Sequence, residues 1–333
     1  MAVKVGINGF GRIGRYLLRL SAKDPDLQIA AINARVGNDA LAYLFKYDST
    51  FGRYAGEVDY DDAGLIVDGR HIAVTRCDMG KWEWGKLGVQ IAVESTGKLK
   101  DREGLSQHLA CGASKVIIAA PGKGVDATIV MGVNDNVYTK DMNVLSAASC
   151  TTNCMAPATK VINDNFKIVY GMMTTVHSYT MTQRILDGSD KKDWRRGRAA
   201  AVSMVPSSTG AASAVGKVIP ELAGKLTGIS VRVPTPDCSL VDLTCLVEKQ
   251  CDVESVNAAL RKASETTMKD NLGFSMEPLV SVDYVGSTYG GVVDGLSTEV
   301  VDGKMLKLFI WYDNEAGFTN QLLRLIRMVA ASL

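Results

Sequence analysis

Short, almost unbroken apolar runs alternate with polar and glycine-rich stretches through the first half of the chain. Residues 3–8, 27–33, 65–67, 71–74, 89–94 and 115–119 read as strands, with helical stretches at 15–20 and 102–111. Runs apolar at nearly every position suit strands covered on both faces, as in parallel sheets. The pattern changes in the second half. Residues 239–247, 279–283 and 306–312 alternate apolar and polar positions, as an antiparallel sheet with one covered face requires. Residues 168–176 read as a long strand, and 150–164, 257–268 and 319–331 as helices. Pro157 should kink the first of these helices by removing one internal hydrogen bond.

At 333 residues the chain is long enough for two domains, at roughly 150 residues each. Hydrophobic content of 47% against 22% charged fits a globular protein with sizeable cores. A net charge of +1 argues against a nucleic-acid footprint. The basic cluster Lys191, Lys192, Arg195, Arg196 and Arg198 is local. No apolar run approaches the ~18 residues that span a bilayer. The cysteines are too sparse for a disulfide scaffold, and the first residues carry no signal-peptide apolar block. A reducing cytoplasm is the expected compartment. Cys150 and Cys154 are four apart, but only three histidines exist and no second cysteine pair has zinc spacing, so no metal is expected.

Gly9-Phe10-Gly11-Arg12-Ile13-Gly14 follows the first strand and opens a helix that leads to a second strand. In that setting GxGxxG is a dinucleotide turn: Gly9 permits the tight turn, Gly11 lets a pyrophosphate approach, and Gly14 lets helix pack on strand. The predicted fold class is therefore α/β: an N-terminal Rossmann-type, mostly parallel sheet, and a C-terminal α+β domain on an antiparallel sheet. At the end of the second strand, where an acid usually meets the adenine ribose, stand Asn33-Ala34-Arg35. With no carboxylate to repel a 2′-phosphate and a guanidinium near, the site should take NAD or NADP, with NADP tolerated or preferred.

Cys150 sits where a strand ends and a helix begins, in Ser149-Cys150-Thr151-Thr152-Asn153-Cys154. Free N–H groups and the helix dipole should lower its pKa and favour the nucleophilic thiolate. Imidazole suits activation of such a thiol, and His177 closes the strand at 168–176. His71 and His108 read as surface or packing residues. The hydroxyls of Ser149, Thr151 and Thr152, and Ser207-Ser208-Thr209-Gly210, lie at helix starts that suit anions. Arg232 lies on a strand where it could clamp phosphate. Helix capping and surface ion pairs are the bland alternatives for each.

INGFGRIGR, SCTTNC, TTVHSYT, STGAA, GKLTG, VRVPT and YDNEAGF together resemble phosphorylating glyceraldehyde-3-phosphate dehydrogenases, over essentially the whole chain. The resemblance implies oxidation of glyceraldehyde 3-phosphate with inorganic phosphate and NAD(P), or with arsenate in place of phosphate, in a homotetramer. It implies a dinucleotide-binding domain at 1–149 joined by the C-terminal helix 317–333, and a catalytic domain at 150–316. Cys150 would be the nucleophile and His177 its base. Thr180 and Arg232 would hold the substrate's phosphate, and Ser149, Thr151, Thr209, Gly210 and Arg196 the attacking phosphate. Arg12 and Ile13 would cover the pyrophosphate, Asn314 would orient the nicotinamide amide, and the loop between Thr180 and Pro206 would line a neighbouring subunit's cofactor pocket.

Some positions depart from the family's usual pattern. Ala34 replaces the ribose acid, and Gly188-Ser189 resembles NADP-using relatives. Ala119, Cys77, Thr182 and Ala316 differ near the cofactor or substrate. Erythrose-4-phosphate dehydrogenase, which hydrolyses the thioester, is the nearest rival. A non-enzymatic redox-sensing protein on the same fold is another.

Overall fold

The computed structural model describes residues 2–191 and 193–333; Lys192 of the basic cluster lies outside them. The chain forms two compact units. One runs to Ile129 and takes in Asp135–Ala148 and Thr319–Leu333; the other comprises Val130–Asn134 and Ser149–Phe318. Among the described residues, no helix is long and apolar enough to cross a membrane.

The first unit is built on a nine-stranded sheet in the order β3-β4-β5-β2-β1-β6-β7-β9-β8. Its strands are β1 (Val3–Asn8), β2 (Leu27–Asn33), β3 (Val58–Tyr60), β4 (Gly64–Val67), β5 (Arg70–Thr75), β6 (Ile91–Glu94), β7 (Lys115–Ile118), β8 (Ala127–Thr128) and β9 (Val144–Ser146). Helices α1 (Arg12–Ser21), α2 (Asn38–Lys46), α3 (Trp84–Leu87) and α4 (Arg102–Ala110) lie in the connections. Every residue of β6 and β7 is buried, as strands covered on both faces demand. The exception to parallel pairing is the edge formed by β3, β4 and β5, whose neighbours run antiparallel. Asp68 and Gly69, both at positive φ, make the tight turn between β4 and β5.

A buried network fixes the carboxyl ends of the central strands. Glu94, 1% exposed at the end of β6, accepts from Asn8 Nδ2 at 2.5 Å, from the Thr96 N–H at 2.8 Å and from the Thr96 hydroxyl. Its remaining partner is His108 Nε2 at 3.2 Å. Trp84 Nε1 donates to His108 Nδ1, so the ring proton sits on the nitrogen facing Glu94. Asn33 Nδ2 donates to Asn8 Oδ1, while Asn33 Oδ1 accepts from Thr75 Oγ1 and the Cys77 N–H. Burial alone would raise the Glu94 carboxyl; donors on His108, Thr96 and Asn8 more than offset it and hold it below its ordinary value. Glu94→Ala strands these donors and should cost about 3 kcal/mol or more, read as a fall in the urea midpoint. A loss under about 1 kcal/mol would refute the network's stabilising role.

The second unit is built on a seven-stranded sheet in the order β11-β12-β10-β13-β16-β15-β14. Its strands are β10 (Ile168–Ser178), β11 (Val205–Ser208), β12 (Leu226–Val233), β13 (Ser239–Val247), β14 (Leu272–Ser275), β15 (Gly291–Val301) and β16 (Met305–Tyr312). Pairing is antiparallel except for β10 with β12 and β14 with β15. Helices α5 (Cys150–Phe166), α6 (Ala211–Val218) and α7 (Val253–Glu265) pack on it. α8 (Ala316–Ala330) begins in this unit and continues into residues of the first. α5 is not interrupted at Pro157. Residues 279–283 are not a strand: Ser281–Tyr284 is a 3-10 turn, with Asp283 Oδ2 accepting from the Val280 N–H. Val280 and Val282 point outward, so the alternation there covers no core.

Candidate active site

Cys150 is the first residue of α5, and Ser149 explains why a helix starts there. Ser149 is extended at the N-cap, and its Oγ accepts from the Thr152 N–H at 3.1 Å. One free donor of the first turn is thereby satisfied. His177 enters from the end of β10, its Nε2 3.6 Å from Cys150 Sγ. Because β10 and β12 run parallel with His177 opposite Arg232, the guanidinium reaches the far side of the ring. Arg232 Nη1 lies 2.7 Å from His177 Nδ1 and 3.2 Å from the Ser178 carbonyl. Nδ1 is itself 2.7 Å from that carbonyl. A proton on Nδ1, donated to Ser178, leaves Nε2 free to accept from the thiol. Arg232 can meet the same carbonyl directly, so this tautomer leaves both groups partnered.

The charges on this pair oppose the simple expectation for a helix start. Burial, and then the Arg232 charge, push the His177 imidazole down to about 3. Desolvation pushes the Cys150 thiol up rather than down, although Arg232 and the Thr151 hydroxyl and N–H pull the other way. The resting pair is therefore a neutral thiol facing a neutral imidazole. Loss of water around the sulfur outweighs the nearby guanidinium and the first-turn donors. Tyr312, buried at the end of β16, is a supporting residue whose role the alternation of 306–312 does not reveal. Its hydroxyl lies 2.9 Å from Thr151 Oγ1 and 2.8 Å from Thr175 Oγ1, and its ring meets His177 edge-on at 5.9 Å.

The other residues singled out from the sequence occupy varied settings. Thr151, 5% exposed, turns its hydroxyl to Tyr312. Thr180 Oγ1 lies 2.9 Å from Thr182 Oγ1. Arg196 sits in a 3-10 turn, Trp194–Gly197, with Nε 3.6 Å from Asp193 Oδ2. Thr209 Oγ1 accepts from the Ala211 N–H, and Gly210 is the N-cap of α6. Asn314 is 7% exposed, and its Oδ1 accepts from Ser239 Oγ at 2.6 Å.

In the first unit the glycine turn has the shape its sequence requires. Gly9 has φ +98°, and a Cβ there would lie 2.8 Å from the Thr96 nitrogen. A Cβ on Gly14 would lie 2.3 Å from the Gly9 carbonyl oxygen, whereas one on Gly11 would meet nothing within 4 Å. The turn is closed where helix meets strand and open where a pyrophosphate would approach, so it fits a dinucleotide. Arg12 pairs with Asp48 and stacks over Phe51; Ile13 is half-buried beside it. Ala34 is buried. Arg35 Nη1 lies 3.1 Å from Asp78 Oδ1, and both side chains are exposed.

A pyrophosphate turn on a parallel sheet, and a thiol facing an imidazole on an antiparallel one, define the class as a nucleotide-cofactor oxidoreductase. The family model "Glyceraldehyde 3-phosphate dehydrogenase, NAD binding domain" matches residues 3–102, and "Glyceraldehyde 3-phosphate dehydrogenase, C-terminal domain" matches 149–314. The chain is 53% identical to "Glyceraldehyde-3-phosphate dehydrogenase" of Geobacillus stearothermophilus over 333 residues, 99% of each chain. It is 51% identical to "Glyceraldehyde-3-phosphate dehydrogenase 1" of Bacillus subtilis over 332 residues, again 99% of each. Against "Glyceraldehyde-3-phosphate dehydrogenase 3" of Saccharomyces cerevisiae the identity is 47% over 330 residues, 98% of this chain and 99% of the relative. The chain belongs to the glyceraldehyde-3-phosphate dehydrogenase family.

Gly14→Ala should displace the turn and lower the thermal midpoint by the equivalent of about 1–3 kcal/mol. An unchanged midpoint would show that the turn yields freely. Tyr312→Phe leaves two buried hydroxyls short of a partner and should cost about 1–3 kcal/mol. An equally stable variant would mean that Thr151 and Thr175 satisfy each other.

Proposed function

We propose that this protein oxidises glyceraldehyde 3-phosphate with inorganic phosphate to 1,3-bisphosphoglycerate, using NAD or NADP. The observation that carries the reading is the 3.6 Å approach of Cys150 Sγ to His177 Nε2, with Arg232 on the far side of the ring. When bound, the nicotinamide cofactor accepts the hydride. As the Cys150 sulfur adds to the aldehyde carbon, His177 Nε2 takes the thiol proton, a transfer that runs uphill in the resting pair because the imidazole is held low and the thiol is pushed up. The Cys150 backbone N–H can stabilise the developing oxyanion. His177 passes that proton to the oxyanion, giving the hemithioacetal hydroxyl, and takes it back as hydride leaves the carbon, so that a thioester remains on Cys150. Inorganic phosphate attacks the thioester carbon and expels the thiolate. Thr180 and Arg232 hold the substrate's phosphate in this reading, and Ser149, Thr151, Arg196, Thr209 and Gly210 the attacking one. Arg12, Ile13, Gly9, Gly11 and Gly14 hold the cofactor, and Asn314 its amide.

A homotetramer accords with the apolar surface that a single chain leaves bare. Tyr170 and Met172 on β10 and Ile229 on β12 face outward, on the side away from buried Met173 and Ser230. Met181, Ile185, Leu186 and Trp194, in the segment between β10 and β11, are also exposed. Such area on one molecule is characteristic of an interface.

The cofactor preference turns on Arg35. Its guanidinium is free of any ribose acid at Ala34 but shares its charge with Asp78. Arg35→Ala should raise the Michaelis constant for NADP while leaving that for NAD nearly unchanged, and Asp78→Ala should lower the NADP value. Equal values in all three proteins would make Arg35 a bystander.

Turnover should depend on phosphate, with arsenate able to replace it. Cys150→Ser should lower kcat by on the order of 10³-fold or more while cofactor binding persists. Aldehyde oxidation at full rate without either anion would favour the thioester-hydrolysing relative, and an active Ser variant would remove Cys150 from the chemistry.

A further inference from the structure

Beside Asn314 lies a pair of acids that the chemistry above leaves unused. Asp237, just before β13, and Asp313, just after β16, are 4% and 0% exposed. A carboxyl oxygen of each and the Cys238 sulfur all lie within 4.8 Å of one another. Asp313 is well supplied with donors: Oδ1 accepts from the Glu315 and Ala316 N–H groups at 2.8 and 2.6 Å, and Oδ2 from the Gly286 N–H at 2.8 Å. Asp237 has less support. Its Oδ1 accepts from the Cys238 N–H at 2.8 Å, and its buried Oδ2 has no partner.

The groups that bear most strongly on the pair give no relief. They are Glu315, a further acid, and the Cys238 thiol, which burial and the two aspartates push up and so keep neutral. Two bare carboxylates in such a place repel each other in a low-dielectric setting, and one proton held between them removes the conflict. The donors decide which acid keeps it. Three N–H groups stabilise Asp313 as the anion, so the proton resides on Asp237.

We propose that Asp237 is a buried carboxylic acid that donates its proton to Asp313 and thereby positions Asn314 for the nicotinamide amide. Both ends of the hold on Asn314 run through this pair. Asp313 precedes it in the chain and ties the following turn at Glu315 and Ala316, the start of α8. Ser239, whose Oγ donates to Asn314 Oδ1, lies two residues beyond Asp237. Asp237 is thus a positioning residue, and its role rests on the reading that Asn314 meets the cofactor.

Burial, then the charges of Asp313 and Glu315, push Asp237 up to about 8, from an ordinary 3.8. A carboxyl whose folded pKa is raised stabilises the fold below its ordinary pKa, and that contribution is lost as pH rises to the folded value. The fold and the Asn314 turn should therefore weaken together up to about pH 8, and Asp237→Asn, which donates an amide proton that cannot titrate, should weaken neither.

The test follows the thermal midpoint and the cofactor dissociation constant, by fluorescence quenching, across this range for the native protein, Asp237→Asn, Asp237→Ala and Asn314→Ala. Expected are a several-fold rise in the native dissociation constant with pH, a flat profile for Asp237→Asn, and weak binding at every pH for Asp237→Ala. A native-like pH dependence in Asp237→Asn would overturn the proposal, since another group would then be titrating. So would a sloping midpoint with a flat dissociation constant, which would leave a shared proton without positioning. Asn314→Ala tests the underlying reading by itself. If it binds cofactor as tightly as the native protein, that reading fails first, whatever Asp237 does.

Discussion

The parallel pairing of β10 with β12 is the constraint from which the reactive geometry follows. In that register His177 lies opposite Arg232, at strand ends where a side chain can reach past its own sheet. Slide either strand by one residue and the ring would exchange faces with its neighbour. The imidazole would then lose both the thiol and the guanidinium. Ladder bonds along β10 and β12, and those of β10 to β13 on its other side, hold the register. Local order in the site is thus inherited from the middle of a sheet, the least mobile kind of element.

The same register sets up an electrostatic tension. One cation stands near a sulfur and touches a ring, and it favours charge on the first while opposing it on the second. Burial outweighs the pull on the sulfur and adds to the push on the ring, so both groups rest neutral and charge separates only during attack. An anionic group bound to Arg232 offsets its field at the ring. In the proposed reading, where Arg232 holds the substrate's phosphate, recognition and base strength are linked by a single guanidinium.

Much of this was legible in the sequence, for reasons that differ by region. β6 and β7 announce themselves because strands covered on both faces must be largely apolar, and the glycine turn because its backbone tolerates no side chain at Gly9 or Gly14. Ser149 marks the start of α5 through its hydroxyl. Residues 279–283 mislead, because Val280 and Val282 alternate without a sheet partner and Asp283 caps a turn instead. β15 escapes notice because it opens on glycine and shifts register between Asp294 and Glu299. Tyr312 and the Asp237–Asp313 pair are invisible to spacing, since they meet only when distant segments are brought together. The upward push on Cys150 is likewise a property of packing, which no local motif encodes.

α8 has a consequence for how the chain reaches its final state. Residues from Thr319 onward complete the first unit, although everything between Ser149 and Phe318 precedes them in synthesis. Arg327 on this helix binds Asp24, a contact between residues 303 apart in sequence. While the ribosome is still making the second unit, the nucleotide-binding one lacks a wall. It must wait, partly open, for the last residues to emerge, and a nascent chain stalled short of them exposes the core that Leu322, Leu325 and Ile326 would have sealed.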